Sequence, residues 1–214
     1  MRWKVLIGCL LFILVFAGQI VAKDYQPVIS GNYKEGSRLY DSDEGVGDYD
    51  FKDSWLKYKQ KLTSKTYYYL KASYRENNFI LKDNYDSQTI KLLGNFTYQI
   101  NKPLRVKTEL SIQDKKYPQV VEKSYLTYSG NMELQVKINN LDKLKCRISL
   151  KEASYLKNNK DNILTGVSLR WEKDILDELE IHSEYKISYQ DYYDPESLTD
   201  KSRYSVSIGF EYKI

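Results

Sequence analysis

The chain has 214 residues, 42% hydrophobic by type and 29% charged, with a formal net charge of +4 and a mean hydropathy of −0.61. That length suits one domain with a small extra segment, and 21 Tyr, 6 Phe and 3 Trp give more aromatic surface than a disordered chain carries. The charge is too small to indicate nucleic acid.

The first element is MRWKVLIGCLLFILVFAGQIVAKD. Arg2 and Lys4 precede an apolar run from Val5 to Ala17, and small residues precede Lys23. This is the layout of a secretory signal peptide over residues 1–22, cleaved after Ala22, and it implies Sec-type export. An uncleaved anchor and a lipoprotein signal ending at Cys9 are the alternatives. Gly8, Gly18 and Gln19 weaken the anchor, and Cys9 comes too early in the apolar run for a lipobox. With the leader removed only Cys146 remains, so no internal disulfide can form.

Residues 23–50 form an N-terminal segment that can include a first strand, within Pro27–Tyr40. From residue 51 onward a two-residue apolar period replaces any helical one. It predicts nine strands, at 51–62, 66–76, 88–100, 104–113, 120–138, 144–157, 162–172, 179–190 and 202–214. In the third, Ile90, Leu92, Gly94, Phe96, Tyr98 and Ile100 oppose Lys91, Leu93, Asn95, Thr97 and Gln99. Gly94, Gly130 and Gly166 recur at even spacing, hinting at a repeated hairpin, although Gly166 falls on the polar face. Short turns near 64, 102, 141 and 175 alternate with connections that are mostly longer and more polar.

Alternation alone fits a soluble sandwich as well as a barrel facing lipid. Three features favour lipid. The strands reach membrane-spanning length, turns and loops alternate as in outer-membrane barrels, and aromatics gather near strand ends. Those aromatics are Tyr98, Trp171 and Tyr212 at the short-turn end, and Tyr74, Tyr155, Tyr189, Tyr192 and Tyr204 at the other. A fourth feature is the final stretch, where Tyr204, Val206, Ile208, Phe210, Tyr212 and Ile214 take alternate positions to the last residue. Here the sequence resembles bacterial outer-membrane β-barrel proteins, whose last strand commonly has this pattern and ends in an aromatic. Ile214 departs from that ending.

The resemblance implies an all-β, closed antiparallel up-and-down transmembrane barrel, inserted by the barrel-assembly machinery into outer-membrane lipid. An open edge is intolerable in lipid and bacterial barrels usually have an even strand count, so about ten strands are expected, with eight to twelve allowed. The expected function is a narrow porin-like channel or a structural and surface-interaction barrel. The alternatives are an outer-membrane enzyme and a soluble exported β-protein that binds a ligand.

No nucleophile motif or phosphate-binding loop is found, so no enzyme and no cofactor are expected. The sole histidine, His182, is flanked by Glu180 and Glu184 on the polar face, which points to an ion-pair role. The acidic stretch Asp41, Asp43, Glu44, Asp48 and Asp50 lacks EF-hand spacing, as does the set Asp191, Asp194, Glu196 and Asp200, and no metal is expected. The polar face carries Arg105, Lys107, Glu109, Lys145, Arg147, Lys151, Arg170, Glu180, His182, Glu184 and Lys186, an excess of cations. In a lumen such a set favours anions, or fills a narrow interior through pairing with Glu.

Overall fold

A computed structural model describes residues 26–38, 48–80, 83–157, 160–175, 179–193 and 199–212. The signal peptide, the acidic residues 41–44 and Ile214 lie outside them. Ten strands form one antiparallel sheet in simple chain order: β1 Val28–Arg38, β2 Tyr49–Lys61, β3 Thr66–Phe79, β4 Ser87–Gln99, β5 Leu104–Lys116, β6 Tyr125–Lys137, β7 Asp142–Tyr155, β8 Asn162–Asp174, β9 Leu179–Tyr192 and β10 Lys201–Tyr212. Among the described residues no helix is long and apolar enough to cross a membrane.

The connections obey a strict alternation. Residues 62–65, 100–103 and 138–141 make four-residue turns and four residues, 175–178, separate β8 from β9, whereas the intervals 39–48, 80–86, 117–124, 156–161 and 193–200 are longer. Local chemistry sets the tight turns. Asn139 Oδ1 accepts from the backbone N–H groups of Leu141 (2.8 Å) and Asp142 (2.7 Å), an Asx turn. Asn101 Oδ1 accepts from the Leu104 N–H at 2.9 Å in the equivalent place, ahead of which Pro103 can donate nothing.

Several boundaries differ from the sequence expectation. The strand expected at 120–138 starts only at Tyr125, because Val121–Lys123 winds into a 3-10 turn. Ser124 Oγ accepts from the Tyr117 N–H at 2.9 Å and holds that connection folded back. By contrast β3 and β5 run on to Phe79 and Lys116. Their ends lack apolar alternation but continue the backbone ladder, as in Asn77↔Ser87 and Lys115↔Tyr125.

Register fixes which side chains share a face. One row runs Thr97↔Lys107↔Glu133↔Arg147↔Ser168↔Lys186↔Ser205 across seven strands. A row on the other face runs Gly94↔Leu110↔Gly130↔Leu150↔Thr165↔Tyr189. Leu110 sits between two glycines, and a Cβ on Gly130 would come within 3.3 Å of its Cδ2.

The apolar face is not a core. Among the described residues only Tyr68 and Ala153 are buried hydrophobics, while Leu92, Met132, Ile148, Val167 and Ile187 stand exposed. β4, β5, β6, β8 and β10 each present about ten residues of apolar alternation, whereas on β1 only Ile29 and Tyr33 are large and apolar on that face. At ~3.4 Å per residue and a tilt of about 40°, that projects to a band roughly 25 Å tall. Tyr74, Tyr98, Trp171, Tyr189 and Tyr204 border this band. Tyr155 and Tyr192 do not, because register turns them to the polar face, where the Tyr155 ring lies 5.3 Å from that of Tyr125. Two-residue phase, not nearness to a strand end, decides the side.

The two edges are β1 and β10. β1 pairs with β2 and β10 with β9, and among the described residues no ladder joins β1 to β10. Tyr204, Val206, Ile208 and Phe210 are accordingly 71% to 82% exposed, against 52% for Ile148 in the middle of the sheet.

Candidate functional site

The polar face is concave. A cavity of about 350 Å³ is lined by residues of six strands, from Lys91 on β4 to Glu184 and Lys186 on β9. Five strand spacings in a flat sheet would separate these by about 24 Å, so the sheet must curl around the cavity. Its wall is rich in hydroxyls and amides: Ser111, Gln113, Thr127, Ser129, Asn131, Ser149 and Ser168. Ser111 Oγ and Ser129 Oγ share a hydrogen bond of 2.7 Å. Thr127, 5% exposed, has an Oγ1 without a partner.

The cavity's charge is unbalanced. Arg147 is held by Glu133, with Nε donating to Oε2 at 3.0 Å. Among the described residues Lys91, Lys151 and Lys186 make no ion pair, and Glu184 is the one carboxylate on the wall. Three uncompensated cations against one anion create a positive potential in the enclosed space.

Next to the short turns, β7, β8 and β9 carry a balanced cluster. Glu172, 3% exposed, accepts Lys145 Nζ and faces Arg170 Nε at 2.8 Å. Glu180 lies 3.8 Å from Arg170 and 3.9 Å from Lys143, which also binds Asp174 at 2.9 Å. Lys145 and Arg170 are direct cross-strand neighbours, an arrangement that repels. Glu172, one step along, bridges both.

His182 does not join the expected ion pair, because Glu180 is drawn to Lys143 and Arg170. Its ring rests instead on Gly209, where a Cβ would fall 2.6 Å from Nε2. Its Nδ1 is buried without a partner.

On the β3–β6 side, at the same height, lies a second cavity of about 290 Å³. Asn95 and Thr97 form its floor, Tyr67 and Tyr69 one wall, and Arg105, Lys107, Glu133 and Gln135 the other. Lys57 Nζ sits 4.3 Å from the Tyr69 ring centre and Lys59 Nζ 5.3 Å from that of Tyr67. Lys107 lies 3.8 Å from Glu109.

By register, Arg105, Lys107, Glu109, Lys145, Arg147, Lys151, Arg170, Glu180, His182, Glu184 and Lys186 share one face of the sheet. The sequence reading set Asn95, Thr97 and Ser111 on the polar face without naming them as site members, and it missed Tyr67, Tyr69 and Ser129 and the balancing pair Lys143 and Asp174. The same alternation placed them, but it carries no sign of what an uncharged side chain will line. Among the described residues no three His, Cys, Asp or Glu side chains gather as a metal site.

At the loop rim, Asp200 accepts from the Tyr189 hydroxyl at 2.8 Å and from the Tyr192 N–H at 3.1 Å. These two hydrogen bonds, the Tyr189 one first, hold its carboxyl below the ordinary carboxylate range. A lowered folded pKa gives a contribution that is complete above the unfolded value, near 3.9, and is lost as pH falls through the folded value. Hydrogen-exchange protection of the Tyr192 amide is therefore expected to drop in acid below about pH 4. Asp200→Asn should remove that step, and its persistence in the variant would disprove the link.

No protein-family model matches the chain, and no curated protein matches it. Solved structures do. An anion-selective porin from Comamonas acidovorans superposes with a TM-score of 0.58 at 9% identity, over 88% of this chain and 57% of the porin. The chain thus spans a little over half the porin's length. The translocator domain of the autotransporter NalP from Neisseria meningitidis gives 0.41 at 10% identity, covering 99% of this chain and 86% of that one. The β domain of the Bordetella autotransporter BrkA gives 0.40 at 11%, covering 88% and 95%. The fold is that of bacterial outer-membrane β-barrel proteins at the level of the class.

Proposed function

We propose that the chain is a small, non-enzymatic outer-membrane barrel protein that admits small anions in preference to cations. The observation that carries this reading is the cavity with Lys91, Lys151 and Lys186 unpaired, on the face opposite an uncovered apolar band. A contiguous exposed apolar surface of that extent is foreign to a soluble monomer and matches the outer wall of a barrel. In lipid the free edges of β1 and β10 would each leave a row of unsatisfied backbone groups, costing several kcal/mol apiece. The sheet closes there by pairing the two. Outer-membrane lipid is then the partner of the band, and the assembly machinery the partner of β10 during insertion.

The anion selectivity of the Comamonas porin is a property of that protein. For this chain the basis is the lysine set, since a ring of ammonium groups favours anions. Single channels in a planar bilayer under a salt gradient should give an anion-preferring reversal potential. The triple variant Lys91→Gln, Lys151→Gln, Lys186→Gln should lose that preference. Cation preference in the unaltered protein would overturn the assignment. The balanced cluster around Glu172 supports a second reading, a structural barrel with a filled interior, and a complete lack of conductance would favour it.

A further inference from the structure

The cavity between β3 and β6 has a chemistry that the lysine-lined cavity lacks: a buried, unpartnered amide donor and an arginine share its lining. Asn95 is 1% exposed, and its amide is satisfied at one end only. Thr97 Oγ1 donates to Asn95 Oδ1 at 3.2 Å, while Nδ2 has no partner. A buried amide N–H without an acceptor is destabilising, and an acceptor atom in the cavity would relieve it. Among the described residues Arg105 makes no ion pair. Its Nε donates to Gln99 Oε1 at 3.1 Å, which fixes the guanidinium plane and leaves the Nη groups without a described partner. Glu133, the one carboxylate on the wall among the described residues, is occupied by Arg147, and Lys107 is turned toward Glu109.

We propose that this cavity is a binding site for a small organic monocarboxylate, with Arg105 and Asn95 receiving the carboxylate and Tyr67 and Tyr69 walling its body. A guanidinium held at Nε offers two parallel N–H groups that match two carboxylate oxygens. Among the described lining residues Arg105 is the one cation without an ion pair, with Lys57 and Lys59 set over the tyrosine rings. It balances one negative charge, whereas a phosphate dianion would call for more. At about 290 Å³ the cavity lies at the small end of ligand sites, the size of a one-ring molecule. The site rests on the reading of this face as the barrel's water-filled interior. It does not require that the barrel conduct.

The test is calorimetric titration of the purified full-length protein in detergent micelles with sodium benzoate. Benzamide serves as the uncharged isostere, and acetate and phosphate as anions without the ring. Saturable benzoate binding is expected, at least tenfold tighter than any of the three controls. Arg105→Gln should weaken it at least tenfold. Arg105→Lys, which keeps the charge and loses the fork, should also weaken it, and Asn95→Ala should do so by several-fold. Heat-modifiable gel mobility verifies that each variant is folded. The lysine triple variant should bind benzoate normally.

No saturable binding, equal binding of benzamide, equal binding of phosphate, or an unaltered affinity in Arg105→Gln would each overturn the proposal. Benzoate binding by a cation-preferring channel would break the anion-pathway reading and keep this one. Anion preference without benzoate binding would do the reverse.

Discussion

Ile148→Arg is expected to destabilise the protein in lipid vesicles by about 2–4 kcal/mol, and Leu141→Arg by only about 0–1. Both residues are roughly half exposed, so water accessibility alone would predict two harmless changes. They differ in depth. Ile148 sits midway along β7 in the apolar band, whereas Leu141 lies in the 138–141 turn. An arginine in the middle of the band must give up hydration that lipid cannot replace, while one at the rim keeps its head in water. Equilibrium unfolding by denaturant in vesicles reads the difference directly. Equal and negligible costs at both positions would sink the lipid-facing assignment.

The second large effect concerns Glu172. Glu172→Gln should cost about 3 kcal/mol, the low end for breaking a buried ion pair, because Lys145 and Arg170 keep some access to water. Loss of the carboxylate does more than delete two attractions. It leaves two cations directly opposite on neighbouring strands with nothing between them. Adding Lys145→Met to Glu172→Gln should therefore recover much of the loss, and a double-mutant cycle measures the coupling. If the two substitutions add independently, Glu172 is not the bridge between those strands.

The sheet was legible because lipid and a polar interior impose the same two-residue code. Val206, Ile208 and Phe210 announce a strand as plainly as Leu92 and Phe96 do. Where that code stops, the sequence reading stopped early. Asp114, Lys115 and Lys116 are strand because Ile90, Thr89 and Gln88 pair with them, and backbone pairing leaves no trace in side-chain alternation. Tyr155 and Tyr192 show the opposite failure, since nearness to a strand end suggested an interface girdle that phase forbids. Charged members of the polar face were legible one by one, but their pairing was not. Nothing in the order of residues says that Glu180 turns to Lys143 and Arg170 and leaves His182 lying on Gly209. The neutral residues around Asn95 needed four strands in register before they became a site.

The turn alternation has a topological consequence. β1 begins, and β10 ends, at the rim that carries the four-residue turns. In the proposed barrel, a reporter inserted just ahead of β1 or joined after β10 would therefore sit in the same compartment, and one added protease would remove both or neither. Insertions into 117–124 or 193–200 would surface in the opposite compartment. Orientation can thus be established with two tagged proteins and a single protease, without reference to conductance or ligand.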